Sequence, residues 1–208
     1  MTGSTETEFA NGSPLEAYSR SSFTHEGLTR DIYRRGSGPA VIVIAEMPGI
    51  TPKVVAFADR VVDLGCTVVM PALFGEPGLD PNAMAVPAAA LHMAATLTRA
   101  CVAKEFTVWS LGETSPIVGW LRALAAHEHE RCGGPGVGAV GMCFTGGYAL
   151  SMAVDDRLVA PVLSQPSMPI ALGRRHKAAL DISPADLDRV KERARRVDLE
   201  VLGLRFCG

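Results

Sequence analysis

Apolar and polar positions along this chain follow two periods, one suited to strands and one to helices, and the two alternate. Val41 to Ala45 is a continuous apolar run, the pattern of a parallel strand covered on both faces. A helix follows, with Thr51 as N-cap, Pro52 in its first turn and Gly65 past its end. Val54, Phe57, Ala58, Val61 and Val62 share one face of it. Thr67 to Met70 reads as the next strand, which makes a βαβ unit with an expected right-handed crossover. Pro71 to Pro87 is rich in loop formers, and loops after strand ends in such sheets line the ligand crevice. Ala88 to Lys104 is predicted helical. Ser115-Pro116 opens another helix, with Ile117, Trp120, Leu121 and Leu124 spaced for one buried face. Val137 to Met142 is a strand, Tyr148 to Val154 a helix and Leu158 to Leu163 a further buried strand. Ser183-Pro184 caps a charged helix reaching about Arg196, and Leu199 to Phe206 reads as a last strand. This order predicts an α/β fold with a doubly wound, mostly parallel sheet. Residues 1–22 are polar and predicted to be poorly ordered; residues 23–208 are expected to form a single domain.

Composition narrows the function. The 208 residues suffice for one domain with a substantial core, and 48% hydrophobic with 20% charged residues is ordinary for a globular protein. A net charge of −2 gives no electrostatic case for nucleic acid or an anionic membrane as partner. Glu6 and Glu8 argue against a secretory leader, and the apolar stretch from Met84 to Leu97 is interrupted by Pro87 and His92. Five cysteines, Cys66, Cys101, Cys132, Cys143 and Cys207, are scattered without a CxxC pair. They suggest neither a disulfide framework nor a zinc site, and a reducing, cytoplasmic setting is expected.

The chemistry concentrates at Gly141-Met142-Cys143-Phe144-Thr145-Gly146-Gly147. A strand that ends in a nucleophile flanked by glycines and then turns into a helix is the pattern of a nucleophile elbow, here with cysteine at its tip. Cysteine there points to thiolate attack on an acyl group. The N–H of Phe144, at a helix N-terminus, is a candidate oxyanion donor, and the N–H of Met47 is a candidate second donor. Glu46 ends a buried strand at the crevice mouth, where a carboxylate is rarely a packing residue.

Ala45-Glu46-Met47-Pro48-Gly49, Met70-Pro71-Ala72-Leu73-Phe74 and the glycine-flanked Cys143 together resemble the dienelactone hydrolase family, from about residue 30 onward. The resemblance implies an α/β-hydrolase fold and hydrolysis of lactones or activated esters through a cysteinyl thioester, without a cofactor or metal. It implies that Cys143 is the nucleophile, that Glu46 contacts the resting thiol and takes part in its activation, and that Met47 and Phe144 supply the oxyanion hole. Thr145 stands where many relatives have glycine, Pro48 replaces a bulky apolar residue, and Gly75-Glu76-Pro77-Gly78 lacks a substrate-binding arginine. That last difference argues against a carboxylated dienelactone as substrate.

The resemblance also implies a triad Asp and His beyond Leu199 to Phe206, and neither matching residue is in this chain. The expectation is therefore a C-terminally incomplete domain whose rate is reduced by several powers of ten. Such a domain would expose apolar sheet surface that a second copy could cover, as a homo-oligomer. His176, the one histidine after Cys143, lies in the basic stretch Gly173 to Lys177 and is a weak candidate base. Gly136 to Gly141 matches GxGxxG, but the predicted strand lies inside the motif and not before it, which argues against a dinucleotide. His127 to Cys132 lacks metal-ligand spacing and reads as the wet end of a helix. Asp186 to Arg196 mixes both charge signs and reads as a solvated helix face. Beside the hydrolase stands a second reading: a non-catalytic α/β-hydrolase-like binding protein, or a redox-sensitive thiol protein.

Overall fold

The computed structural model describes residues 13–106, 112–166 and 182–196. The expected strand from Leu199 to Phe206, together with His176 and Cys207, lies outside the described residues. Strands β1 (Ser19–His25), β2 (Leu28–Arg35), β3 (Ala40–Ile44), β4 (Thr67–Pro71), β5 (Val137–Met142) and β6 (Leu158–Ser164) form one sheet in the order β1-β2-β4-β3-β5-β6. β4, β3, β5 and β6 run parallel, while β2 is antiparallel to both β1 and β4. The helices described are α1 (Pro52–Asp63), α2 (Val86–Val102), α3 (Pro116–Cys132), α4 (Thr145–Met152) and α5 (Pro184–Arg196).

The continuous apolar run in β3 divides its residues between two cores. Ala40, Ile42 and Ile44 pack with Trp120 and Leu121 of α3 and with Tyr148 and Ala149 of α4. Val43 and Ala45 face the other way, onto Val54, Val55 and Ala58 of α1. This is the doubly wound arrangement, with strand side chains pointing alternately to two covered faces. Burying one such aliphatic side chain contributes roughly 1.5–3 kcal/mol. At the start of α1, Thr51 Oγ1 accepts from Val54 N–H at 3.4 Å, as the capping pattern requires.

Four features differ from the sequence expectation. Of β6, expected to be buried, only Leu158 is, because β6 ends the sheet order of the described residues and its apolar side chains Val159 and Val162 stand exposed. The hairpin β1–β2 was not anticipated, because its strands are polar and mostly half-exposed. The fold also begins before residue 23: Leu15 and Tyr18 are buried in the α1-side core, and Tyr18 Oη donates to Asp59 at 2.8 Å. The expected wet end of α3 is corrected at Glu128, which has no solvent exposure and pairs with Arg34 of β2. The charged helix α5 is largely exposed, as its mixed charges predict, with one exception. Arg193 is buried and donates to the carbonyls of Ala153 and Asp156, each at 2.9 Å. Among the described residues, no helix is long and apolar enough to cross a membrane.

Candidate functional site

The chain leaves β3 for β4 on one side and later returns to β5 on the other. The loops after β3 and β5 therefore flank a topological switch point, where sheets of this kind bind ligands. Cys143 directly follows β5, and Glu46 and Met47 follow β3 by two and three residues. Neighbouring strands are roughly 4.8 Å apart, so these residues share one end of the sheet.

Cys143 adopts φ +55°, in the left-handed region that costs a residue with a side chain on the order of 1–3 kcal/mol. Hydrogen bonds hold this turn. Cys143 N–H donates to Ser164 C=O at the end of β6 (3.0 Å), and Gly146 N–H donates to Cys143 C=O (3.1 Å). Strand and helix pass so close at Gly141 that a Cβ there would lie 2.1 Å from the Thr145 carbonyl oxygen. The result is a partly exposed cysteine at the tip of a strand–turn–helix. Beneath it, Phe144 is buried, with its ring 5.2 Å from that of Phe74 and 5.5 Å from that of Tyr148, centroid to centroid.

Glu46 and Met47 are both partly exposed, and the Met47–Pro48 bond is cis. Glu46 C=O accepts from Gly49 N–H at 2.8 Å, which turns the chain away from the sheet. Among the described residues, the N–H groups of Met47 and Phe144 donate to no backbone carbonyl. Two glycines lock this loop to the one after β4. A Cβ on Gly49 would meet Phe74 C=O at 2.2 Å, and one on Gly75 would meet Pro48 C=O at 2.0 Å. Gly75 also borders a cavity of about 310 Å³ lined by Leu73, Phe74, Thr96, Arg99 and Arg30.

Thr145 is the group whose part the sequence did not reveal. Its hydroxyl is buried and accepts from Met142 N–H at 2.8 Å. The same oxygen lies 3.0 Å from Ile44 C=O and 2.7 Å from Met142 C=O. His92 is a second group near the site that no sequence motif points to; its Nε2 would lie 3.5 Å from a Cβ on Gly75. The GxGxxG match is a different matter: β5 occupies its interior, so no helix opens at its glycines. Among the described residues, no group of His, Cys, Asp and Glu is placed to hold a metal ion, the stretch His127 to Cys132 included.

Comparisons with known proteins bear on the fold and the family. A sequence search of curated proteins finds no match. In structure, the chain is similar to a protein from Klebsiella pneumoniae subsp. pneumoniae assigned as a dienelactone hydrolase, with a TM-score of 0.52 and 14% identity over 87% of this chain and 81% of that one. It is also similar to DcsB in complex with its substrate analogue, with a TM-score of 0.51 and 14% identity over 88% of this chain and 56% of that one. At such identities the likeness is one of fold. The family model for the dienelactone hydrolase family matches residues 32–201, most of the chain. The protein thus belongs to the dienelactone hydrolase family and is a hydrolase with an α/β fold.

Proposed function

We propose that this protein hydrolyses lactones or activated esters through a cysteinyl acyl intermediate. The observation that carries the proposal is the positive φ of Cys143 on a turn between β5 and α4. A strained, glycine-flanked turn with a partly exposed cysteine at its tip is suited to nucleophilic catalysis and gains nothing for packing. In the proposed reaction Cys143 Sγ, as thiolate, attacks the carbonyl carbon and the C–S bond forms. The N–H groups of Met47 and Phe144 stabilise the oxyanion. Glu46, at the neighbouring strand end, takes part in activating the thiol. The C–O bond then breaks, and the leaving alkoxide takes a proton from solvent, which the later hydrolysis of the thioester returns. Water adds to the thioester, the C–S bond breaks, and the carboxylic acid and the thiolate are released.

The test is turnover of p-nitrophenyl acetate and of an activated lactone, before and after treatment with iodoacetamide. Turnover that disappears on alkylation of Cys143, and is lost in Cys143→Ser, supports the proposal. Alkylation of a protein that never turned over either compound would overturn it in favour of a non-catalytic thiol protein.

A further inference from the structure

The Thr145 hydroxyl touches both strand ends of the site. A hydroxyl has one proton and two acceptor positions. Since it accepts from Met142 N–H, its proton is shared between the carbonyls of Ile44 and Met142. Ile44 and Gly141 are aligned across β3 and β5, so the hydroxyl lies where the two strands are about to part. Beyond this level the chains diverge into Glu46 and Met47 on one side and Cys143 and Phe144 on the other.

Up to the last rung, backbone hydrogen bonds hold adjacent strands at roughly 4.8 Å. Past it, side chains must set the separation, and oxyanion donors tolerate errors of only about 0.5 Å. Thr145 is suited to the task because its own position is fixed: its carbonyl is pressed against Gly141 and its side chain is fully buried. Threonine is a poor helix former, so the first turn of α4 gains nothing from it in propensity. What it contributes is the tie between backbones.

We propose that Thr145 is a positioning residue whose hydroxyl fixes the separation of the two strand ends, and with it the spacing of the Met47 and Phe144 N–H groups around the attacked carbonyl oxygen. This rests on the acyl-transfer function proposed above. The tie reaches the chemistry only through the backbone, so its effect falls on the transition state and not on substrate binding or on the thiol itself.

The experiment compares wild type, Thr145→Val, which keeps the shape without the hydroxyl, and Thr145→Ser, which keeps the hydroxyl. Acylation is read from the p-nitrophenolate burst with p-nitrophenyl acetate, and thiol reactivity from the rate of iodoacetamide alkylation, which needs no oxyanion hole. Thr145→Val is expected to acylate between about tenfold and a hundredfold more slowly, the range of a misplacement approaching 1 Å. Its KM and its alkylation rate stay within about threefold of wild type, and Thr145→Ser recovers most of the acylation rate. Should Thr145→Val not fold, Thr145→Ala set against Thr145→Ser makes the same comparison. A hydroxyl-free variant that melts lower but acylates like wild type overturns the proposal, as does alkylation that slows in step with acylation. No burst from wild type sinks the acyl-transfer function and this proposal together, whereas a normal wild-type burst with no effect of the hydroxyl sinks this proposal alone.

Discussion

Arg34 on β2 and Glu128 on α3 form an ion pair inside the molecule, with Arg34 Nε donating to Glu128 Oε2 at 3.0 Å and the Glu128 side chain wholly shielded from solvent. The pair spans 94 residues of sequence and joins the antiparallel part of the sheet to α3. Removing one partner leaves the other charged and buried, which costs roughly 3–5 kcal/mol, whereas replacing both with apolar residues is often neutral. Glu128→Ala is therefore expected to lose roughly that much stability in urea unfolding, and Arg34→Met with Glu128→Leu to lose much less. Equal losses in the single and double variants would show that the pair is not held as described.

Gly141 has no room for a side chain, since a Cβ would sit 2.1 Å from Thr145 C=O and 2.8 Å from Gly146 Cα. Both are backbone atoms, so relief requires strand and helix to separate. Gly141→Ala is expected to cost at least about 1–3 kcal/mol, the usual range for overpacking, and to lower the ester burst more than it lowers the melting temperature would suggest. A Gly141→Ala protein with the wild-type burst and melting temperature would refute the close approach.

Helix α5 carries one buried residue, Arg193, bound to the carbonyls of Ala153 and Asp156 just past α4. Hydrogen bonds to a charged group contribute roughly 1.5–3 kcal/mol. Arg193→Ala is expected to lose about that much stability and to raise amide exchange along α5 while leaving β5 and β6 protected. Unchanged exchange in α5 would mean that the helix is held by other contacts.

The Tyr18 hydroxyl is pushed well above the ordinary tyrosine range, first by burial and then by its hydrogen bond to Asp59. A raised folded-state pKa gives stability that is fully present below the unfolded value and is lost as pH rises towards the folded one. Stability is thus expected to fall as pH climbs above about 10, where the unfolded chain ionises and the native one does not. Tyr33, raised by burial, adds to the same slope. Tyr18→Phe should flatten the alkaline slope without abolishing it, as read from unfolding midpoints across that window. An unaltered slope would place the Tyr18 ring in water.

The central strands, α1, α3 and the turn at Cys143 were legible in the sequence because each is set by local periods and punctuation: Thr51, Pro52 and Gly65 around α1, and Gly141 to Gly147 around the elbow. The hairpin was not, since Ser19 to His25 alternates without a strong apolar face and its turn at Glu26-Gly27 lacks the usual asparagine or aspartate. Glu128 was misjudged because its environment is made by Arg34, far away in the chain. Thr145 was noted only as a departure from glycine for the same reason, its partner Ile44 lying 101 residues earlier. Periodicity reports which face of an element is covered; it carries no information about which distant polar group will meet it there.

Gly49 and Gly75 each lodge in a space that the other's loop leaves open, so the two segments behave as one interlocked rim. Neither segment can be enlarged at its glycine alone, because an added Cβ on one meets the backbone of the other and would shift the loop that carries the Met47 amide. Val86 and Leu91 of α2, by contrast, stand in water, where a change of side chain meets no such backbone.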